Sequence, residues 1–291
     1  MKFFILAGGY GKRAEPLSLI KPKPAFPLGG VPLIALLLRQ LRGLGCAEGF
    51  VNLHHLGGQV AAAAGSVGLR FITEKELSGS RVLRQALPFF TEWLLVINGD
   101  TFLEVPLAEL AAKAADPGVD GVLLSRADQS GHYARLRCEG DAFLESIPPV
   151  PDTHGATAGR GGPMYAGVAL FRRRAVEALD EANFFASIQK HRLRFKAIPY
   201  GGIWLDIGTP ASYFNANWEY MRLAKEQRAN ALSPHVEVSP GARVERSVLW
   251  ENTRVGPGVR LSECIVTGGV ELPDGSYAGQ IISRRGVFPL F

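Results

Sequence analysis

The chain has 291 residues, of which 47% are hydrophobic and 20% are charged, and this balance excludes a disordered or fibrous protein. It contains no run of 18 apolar residues and begins without a signal-peptide layout, so we expect neither a membrane partner nor secretion. Its three cysteines are widely spaced, which indicates the cytoplasm rather than a disulfide framework. The net charge of +5 suits an anionic small substrate. Because the basic clusters lack interleaved aromatic residues, we predict no nucleic-acid partner.

Residues 1 to about 125 alternate between strand and helix signals. Short apolar runs predict buried strands, and longer apolar stretches closed by glycine or proline predict helices. The predicted strands are 2–7, 50–53, 69–72 and 93–97, and the predicted helices are 32–41, 60–64 and 82–87. This alternation is typical of an α/β fold, in which a mostly parallel sheet is covered on both faces.

A glycine-rich loop follows the first predicted strand. Gly8, Gly9 and Gly11 stand within four positions, and glycine lets backbone N–H groups approach a ligand closely. A polyphosphate on this loop would meet those N–H groups together with the guanidinium of Arg13. Lys23 adds a compact charge from a loop stiffened by prolines. We therefore predict a nucleoside triphosphate site; the alternative is a tight turn with two solvated cations.

A candidate metal ligand follows the strand predicted at 93–97. Asp100 comes directly after Asn98 and Gly99, so its carboxylate is expected at the C-terminal edge of the sheet, where open α/β sheets bind ligands. The alternative is an aspartate that only serves a turn at the end of a strand.

The pattern loosens after residue 125. Residues 132–137 alternate polar and apolar side chains and predict an antiparallel strand, and the proline- and glycine-rich residues 148–163 predict a loop. A further strand is predicted at 165–171. A helix is expected to begin at Pro210, because proline suits a first helical turn, and to run towards Ala231.

The sequence changes in character near Ser233. Residues 238–244 are echoed 17 positions later by residues 255–261. Aliphatic residues recur about every six positions with turn residues between them, which is the hexapeptide signature of a parallel β-helix; an irregular β-rich tail is the alternative. Two or three coils cannot bury their own ends, so we expect this tail to pack on the first domain or on a second subunit. We therefore divide the chain into 1–232 and 233–291 and predict a homo-oligomer formed through the tail.

Several segments together resemble the signature of the sugar-1-phosphate nucleotidyltransferases. They are residues 6–13, 16–18, 22–24 and 27–30. The glycine patterns of dehydrogenases and of Walker loops are absent from this region. Residues 204–210 are similar to the family's Trp-x-Asp-x-Gly-Thr-Pro element, and residues 98–100 resemble its metal-binding aspartate motif. The resemblance implies a Rossmann-like domain with a mixed, mostly parallel sheet, followed by a short left-handed β-helix.

The resemblance also implies a reaction. An oxygen of a sugar 1-phosphate attacks the α-phosphorus of a nucleoside triphosphate, and pyrophosphate leaves without a covalent enzyme intermediate. Arg13 is implied to hold the β- and γ-phosphates, and Lys23 to bridge the α-phosphate and the sugar phosphate. Asp100 and Asp206 are implied to bind one Mg²⁺ ion, since two carboxylates and phosphate oxygens suit a hard cation.

The substrate contacts are less fully defined by the resemblance. The residues implied to contact nucleotide or sugar are Leu6, Ala7, Gly8, Gly9, Gly11, Gly79, Asn98, Glu145 and Gly167. Ser146 stands where relatives often have a lysine for the sugar phosphate, and Tyr165 where they often have an asparagine. Arg160 is one candidate to replace the lysine. The likeness points to the branch of mannose-1-phosphate guanylyltransferases, heptose-phosphate enzymes and N-acetylmuramate-1-phosphate uridylyltransferases, with the base and the sugar left open.

Two other functions fit parts of the pattern. A regulatory homologue would bind nucleotide sugars without turnover, but such relatives tend to lose the lysine or the carboxylates that this chain keeps. A glycosyltransferase would usually carry Asp-x-Asp where this chain has Asn-Gly-Asp. The adjacent His54 and His55 would face opposite ways on a strand, so we expect one packed and one solvated histidine rather than a metal-binding pair.

Overall fold

The structure is a computed structural model, and it describes residues 1–128, 133–149, 162–226 and 228–291. In chain order, its first elements are β1 Lys2–Leu6, β2 Pro27–Leu28, β3 Val31–Pro32, α1 Leu33–Gly43, β4 Gly49–Leu53, α2 Gly57–Ala64, β5 Leu69–Thr73, β6 Trp93–Asn98, β7 Thr101–Leu103, α3 Leu107–Ala114 and β8 Gly121–Asp128. Short 3₁₀ helices cover Lys12–Ala14, Leu17–Leu19, Lys23–Ala25 and Gly79–Phe89.

The second half of the first domain continues with β9 Arg135–Glu139, β10 Ala142–Ile147, β11 Gly162–Arg172, α4 Arg173–Glu177, α5 Phe184–Lys190, β12 Phe195–Pro199, β13 Trp204–Asp206 and α6 Pro210–Leu223. The tail contains only strands among its described elements: β14 Ala231–Leu232, β15 Glu237–Val238, β16 Arg243–Glu245, β17 Val248–Leu249, β18 Arg254–Val255, β19 Val259–Ser262, β20 Ile265–Val266, β21 Glu271–Leu272, β22 Gly275–Ala278, β23 Gln280–Ser283 and β24 Gly286–Pro289.

A nine-stranded mixed sheet forms the centre of the first domain, in the order β5-β4-β1-β6-β11-β8-β12-β10-β9. The first four strands in this order pair in parallel, and β8 and β12 are also parallel. Strand β11 enters antiparallel between β6 and β8. The α/β prediction is confirmed. Residues 1 to 98 build the block of four neighbouring parallel strands, β5-β4-β1-β6.

Helices cover both faces of this sheet, and the sequence of β1 explains why. Phe3 and Ile5 belong to a core on one face, whereas Phe4 belongs to a second core on the other face. Because successive side chains of a strand point to opposite faces, a strand buried on both sides needs a continuous apolar run. That requirement accounts for the uninterrupted hydrophobic character of β1 and β6.

The tail is a parallel β-helix with three sides. Five, three and three strands form its sheets, in the orders β14-β17-β20-β23-β24, β15-β18-β21 and β16-β19-β22. Val238 lies beside Val255, and Val244 beside Leu261, so the 17-residue repeat of the sequence is one coil of the helix. The coils enclose a core of their own aliphatic side chains. This agrees with the left-handed hexapeptide helix that the sequence predicts.

The β-helix packs against the first domain through an aromatic junction. Trp250 is fully buried and its ring lies 5.3 Å from that of Phe26. Its indole N–H donates to the hydroxyl of Tyr213 over 2.9 Å, and that hydroxyl donates to the Pro27 carbonyl over 2.6 Å. At Gly30, where φ is +88°, a Cβ would lie 2.1 Å from the Leu232 carbonyl oxygen. One surface of the β-helix is therefore buried against the first domain of the same chain.

The division of the chain into 1–232 and 233–291 stays a prediction. Strand β14 already pairs with β17 of the β-helix, so the first strand of the tail lies two residues before the predicted division. Within the described residues, no helix is both long enough and apolar enough to cross a membrane.

Two predicted helices are wrong in part. The helix predicted at 82–87 is a longer 3₁₀ helix, Gly79–Phe89, which contains Pro88 instead of ending before it. Helix α6 ends at Leu223 rather than continuing towards Ala231. The cause is a left-handed Lys225, with φ of 55°, after which the Glu226 N–H bonds back to the Met221 carbonyl, as in a common helix-ending motif.

The weakly patterned middle of the chain also differs from prediction. The strand predicted at 132–137 is observed as Arg135–Glu139, and the loop predicted at 148–163 gives way to β11 at Gly162. His132 and Arg160 lie outside the described residues.

Candidate active site

The glycine-rich loop is held by a buried polar chain beneath it. The Ala7 N–H donates to Asn52 Oδ1 over 2.7 Å, and Asn52 Nδ2 donates to Glu74 Oε1 over 2.7 Å. The second carboxylate oxygen of Glu74 accepts the Ser78 N–H over 3.0 Å. A Cβ at Gly8 would lie 2.8 Å from Asn52 Nδ2, so glycine is needed for the loop to rest on this network. Sequence reasoning did not assign Asn52 and Glu74; the only signal was a buried polar residue inside an apolar strand.

A cavity of about 480 Å³ opens above this loop at the carboxyl edge of the parallel strands. Its lining includes the predicted residues Leu6, Ala7, Gly8, Gly9, Gly11, Lys23, Gly79 and Asp100. Asn52, Glu74 and Phe184 complete part of its wall. The structure thus brings together the residues predicted to bind the nucleotide and one predicted metal ligand; we call this space the larger cavity.

Close packing requires a glycine at position 79. Its φ is +62°, and a Cβ there would lie 2.1 Å from the Ala182 carbonyl oxygen. The next residue, Ser80, donates its N–H to the same carbonyl over 2.7 Å. Close approach at Gly79 is therefore to the loop before α5, and this contact shapes one side of the larger cavity.

Lys23 is buried at the start of a 3₁₀ turn, and its Nζ lies 3.5 Å from Asp100 Oδ2. Gly11 makes room for it, because a Cβ at Gly11 would lie 3.3 Å from the Lys23 side chain. A separation of 3.5 Å is long for a charged hydrogen bond. Both groups therefore keep capacity for a ligand placed between them.

A smaller cavity, of about 240 Å³, adjoins the larger one through Asp100, which lines both. Its lining includes the predicted residues Arg13, Asn98, Asp100, Gly167 and Asp206. Aromatic side chains supply much of the remainder: Tyr133, Tyr165, Phe185 and Trp204. Arg13 and Lys23 consequently approach Asp100 from two adjoining spaces.

Asp206 reaches this cavity because β13 pairs with β7. Thr101 is the register partner of Asp206 in this antiparallel pair, which puts Asp206 next to Asp100 in space although 106 positions separate them in sequence. The indole N–H of Trp204 donates to the Ala166 carbonyl over 3.0 Å and fixes the strand against β11. Thr209 caps α6, so the Asp206 carboxylate is not used as a helix cap.

The groups around Asp100 and Asp206 fit a hard divalent cation. Both residues offer carboxylate oxygens to one cavity, and oxygen is the donor that Mg²⁺ prefers. A Cβ at position 208 would lie 2.6 Å from Asp206 Oδ2, so Gly208 leaves space at this carboxylate. The described residues contain no group of three or more potential metal-binding side chains. Two carboxylates match an ion that completes its shell with water and substrate phosphate.

Gly167 and Asn98 meet at an irregular point of the sheet. The register between β11 and β8 shifts between Tyr165 and Ala169. Within this bulge Gly167 has φ of +94°, and a Cβ there would lie 3.3 Å from the Asn98 Cβ. The Tyr165 hydroxyl is buried without a hydrogen-bond partner among the described residues, and burial raises its pKa.

Tyr133 was missed by the sequence reasoning. Its ring lies 5.9 Å from the Trp204 ring in an edge-on contact, and the Arg13 guanidinium lies 5.8 Å from its ring centre. Burial, followed by the neighbouring Asp206 carboxylate, raises the pKa of the Tyr133 hydroxyl, whereas Arg13 acts to lower it. No local motif marks this tyrosine, because the contacts that define it come from residues far along the chain.

Two predictions are not supported by the geometry. Glu145 lines neither cavity: it lies in the β9–β10 hairpin at the sheet edge, where its carboxylate pairs with Arg137 at 2.5 Å. The expectation of one packed and one solvated histidine is wrong, because both are half-buried and hydrogen-bonded. Strand β4 ends at Leu53, so neither His54 nor His55 has the alternating orientation of a strand residue.

A glycine-rich loop with neighbouring cations and paired carboxylates, at the carboxyl edge of an α/β sheet, is typical of a nucleotidyl-transfer site. Comparison with known families agrees: the model described as a MobA-like NTP transferase domain matches residues 3–188. This match covers more than half of the chain, so the chain belongs to that family. A second model, described as GlmU-like, C-terminal hexapeptide, matches residues 225–283. The protein is thus a nucleotidyltransferase with a hexapeptide tail.

Individual relatives give a consistent picture. The chain is 24% identical to a putative mannose-1-phosphate guanyltransferase of Sulfolobus acidocaldarius, over 90% of this chain and 74% of the relative. It is also 24% identical to a mannose-1-phosphate guanylyltransferase of Mycobacterium tuberculosis, over 96% and 82% of the two chains. The solved structure of HddC from Yersinia pseudotuberculosis complexed with GMP-PN shares its fold, with a TM-score of 0.63, 21% identity, and coverage of 75% of this chain and 99% of the other.

A second solved structure agrees in fold. It is a putative glucose-1-phosphate thymidylyltransferase from Bacillus anthracis, with a TM-score of 0.64, 18% identity, and coverage of 76% of this chain and 95% of the other. At such identities these structures support the architecture of the first domain and leave the substrate to be argued from the site.

Proposed function

We propose that this enzyme transfers a nucleotidyl group from a nucleoside triphosphate to a sugar 1-phosphate with the help of Mg²⁺. The observation that carries the proposal is the meeting of the two cavities at Asp100. The reaction joins two anions. The larger cavity would hold the nucleoside triphosphate, and the smaller cavity beside it would hold the sugar 1-phosphate. A phosphate oxygen of the sugar forms a bond to the α-phosphorus, the bond from that phosphorus to the bridging oxygen breaks, and pyrophosphate leaves with the electron pair.

The residues divide this work between them. In our proposal the nucleotide occupies the larger cavity, where the backbone of the glycine loop faces its phosphates. Lys23, placed at the junction, neutralises charge on the α-phosphate and the incoming sugar phosphate, and the Arg13 guanidinium adds a second positive charge from the smaller cavity. Asp100 and Asp206 would hold the divalent ion, which when bound supplies positive charge to the same phosphates. Positioning of the two reactants and electrostatic stabilisation together supply almost all of the catalysis in such a mechanism.

The identity of the substrates rests on the relatives. Those described above include mannose-1-phosphate guanylyltransferases at 24% identity, so we propose GTP and mannose 1-phosphate as the first pair to test. The aromatic side chains of the smaller cavity are consistent with a small-molecule acceptor, since such sites are lined mainly by apolar and aromatic groups around a few polar ones.

A crossed screen tests the function. Pyrophosphate release is measured for GTP, UTP, CTP and dTTP against hexose, hexosamine and heptose 1-phosphates, with Mg²⁺ present. We expect one triphosphate and one sugar class to give turnover, and Asp206→Asn to abolish it while nucleotide binding persists. Absence of turnover with every pair, together with retained binding of a nucleotide sugar, would instead identify a non-catalytic regulatory homologue.

We further propose that the protein is cytoplasmic and forms a homo-oligomer through its tail. The five-stranded sheet of the β-helix ends at β24, whose outer edge pairs with no other strand in the part of the chain that the structure describes. Val287 and Phe291 lie in or next to this strand and are 53% and 69% exposed. An exposed strand edge beside apolar side chains favours pairing with another chain. Light scattering of the wild type and of Val287→Lys tests this; a monomeric wild type would refute it.

A further inference from the structure

The glycine-rich loop after β1 is fixed by hydrogen bonds at both of its ends. At its start the Ala7 N–H donates to Asn52 Oδ1 over 2.7 Å, and at its end the Gly11 carbonyl accepts the Ala14 N–H over 2.8 Å. Between these points packing restrains the backbone little, since a Cβ at Gly9 would meet nothing within 4 Å. Glycine loses more conformational freedom than other residues when it is ordered. The apex of the loop therefore needs a further attachment to keep one conformation.

Tyr10, at this apex, makes such an attachment to His54. The Tyr10 hydroxyl lies 2.8 Å from Nε2 of His54, and the two rings meet edge-on at 5.1 Å. Nδ1 of His54 lies 2.9 Å from the Glu74 carbonyl oxygen. A carbonyl oxygen only accepts, so Nδ1 carries the proton of the neutral ring and Nε2 accepts the Tyr10 O–H. Each nitrogen of this imidazole thus has a defined partner.

The topology of the sheet explains why these two residues meet. Strands β1 and β4 are parallel neighbours, so the glycine-rich loop after β1 and His54 after β4 leave the sheet at the same edge. Three glycines of the loop line the larger cavity, whereas Tyr10 and His54 do not form part of its lining. The tyrosine and the histidine therefore hold the loop from outside the cavity.

We infer that His54 is a positioning residue, which holds the glycine-rich loop in its triphosphate-binding conformation through the hydroxyl of Tyr10. This inference rests on the proposed function, because it places the nucleotide in the larger cavity. A loop that is already ordered has less conformational freedom to lose when the ligand arrives, so it binds more tightly. The effect is on binding rather than on chemistry, so loss of the contact should raise KM for the triphosphate with little change in kcat.

Two other roles for this contact predict different results. A contact that only stabilises the fold would lower the thermal midpoint of unfolding and leave nucleotide affinity unchanged. A Tyr10 side chain that touched the nucleotide itself would act without His54. Substituting each residue alone and both together separates these cases, because two residues that act through one bond show effects that do not add.

The two substitutions remove the same hydrogen bond from opposite sides. Tyr10→Phe keeps the ring and removes only the hydroxyl. His54→Asn keeps an amide nitrogen bonded to Cγ, as Nδ1 is, so it can still donate to the Glu74 carbonyl but no longer reaches Tyr10. Both changes are conservative, and Tyr10 is 50% exposed.

The experiment is isothermal titration calorimetry with Mg²⁺ at about pH 8, above the range in which an unperturbed histidine titrates. The β,γ-imido analogues of GTP, UTP, CTP and dTTP are titrated into the wild type, and the one that binds most tightly is used for the variants. We expect its dissociation constant to rise about 2- to 10-fold in Tyr10→Phe and in His54→Asn, the worth of one hydrogen bond. The double variant should lose no more than either single variant.

Tyr277→Phe is the matched control. The Tyr277 hydroxyl donates to the Pro273 carbonyl over 3.0 Å within the tail, and Tyr277 lines neither cavity. This variant also loses one tyrosine hydrogen bond, and we expect its nucleotide affinity to equal that of the wild type. An unchanged dissociation constant in Tyr10→Phe would overturn the inference. Equal rises in Tyr10→Phe and Tyr277→Phe, or effects of Tyr10→Phe and His54→Asn that add fully in the double variant, would overturn it as well.

Failure of this inference is distinguishable from failure of the proposed function. Pyrophosphate release by the wild type tests the reaction without reference to Tyr10 or His54. If that release occurs and Tyr10→Phe binds the analogue as tightly as the wild type does, the proposed function stands and only the role of His54 falls. If the wild type binds none of the four analogues, the proposed nucleotide site is wrong and the inference falls with it.

Discussion

The junction between the two parts of the chain depends on one hydroxyl, and Tyr213→Phe removes it. In the wild type the Tyr213 hydroxyl donates to the Pro27 carbonyl over 2.6 Å and accepts the indole N–H of Trp250 over 2.9 Å. Both Tyr213 and Trp250 have no exposed surface. The variant therefore leaves a carbonyl and an indole N–H buried without partners, in a site closed to water.

The size of the effect follows from these two groups. A buried polar group that loses its partner costs about 1–3 kcal/mol, so two of them predict a loss of about 2–6 kcal/mol in the free energy of unfolding. The measurement is urea denaturation followed by tryptophan fluorescence, to which Trp250 and three other tryptophans contribute. A loss of this size is a large part of the stability of an ordinary domain.

Tyr165→Phe is the matched control for that measurement. Its hydroxyl is also buried but has no hydrogen-bond partner among the described residues, so its removal relieves a desolvation cost and breaks no bond. We expect the free energy of unfolding to stay within about 0.5 kcal/mol of the wild type or to increase. Equal losses in Tyr165→Phe and Tyr213→Phe would refute the argument that partnership, rather than burial, sets the stability of these hydroxyls.

Three further outcomes are expected. Lys23→Ala should reduce kcat about 10²- to 10³-fold, as loss of one electrostatic group in an active site does, whereas Lys21→Ala, two residues away and paired with a carboxylate of the tail, should leave steady-state rates unchanged. Gly30→Ala should lower the thermal midpoint, because its Cβ would meet the Leu232 carbonyl oxygen at 2.1 Å. The pKa of Asp180 is lowered to about 2, chiefly by Lys190 and also by His191. Any stabilisation from the ionised Asp180 carboxylate should be complete above about pH 4 and be lost as the pH falls towards about 2. Acid unfolding of the wild type compared with Asp180→Asn would measure this difference.

Local sequence patterns predict much of the fold. Apolar runs such as β1 and β6 are predictable because a strand buried on both faces must be apolar throughout. The 17-residue repeat gave the register of the β-helix, with Val238 beside Val255, because each coil stacks equivalent positions on one another. The end of α6 was not predictable in this way, since it depends on a left-handed lysine that composition does not mark.

The site was predictable where its residues are adjacent in the chain. Gly8, Gly9, Gly11 and Arg13 form one loop, so their spacing alone indicates a phosphate cradle. Glu145 shows the limit of that reasoning: a residue carried over from a motif was placed in a sheet-edge hairpin and paired with an arginine. The similarity to the family motif did not specify whether the Glu145 side chain would line a cavity.

The sequence by itself determined the glycine loop, the cations beside it and the repeat of the tail, because each depends on residues within one short segment. Only the tertiary structure decided that Asp206 lies opposite Thr101, that Tyr133 lines one cavity with Arg13 and Asp206, and that Tyr213 joins the tail to the first domain. These contacts link segments that are distant along the chain. Their geometry is set by how the sheet, the helices and the coils of the β-helix pack together. The sequence around each of these residues carries no local pattern that reveals its distant partner.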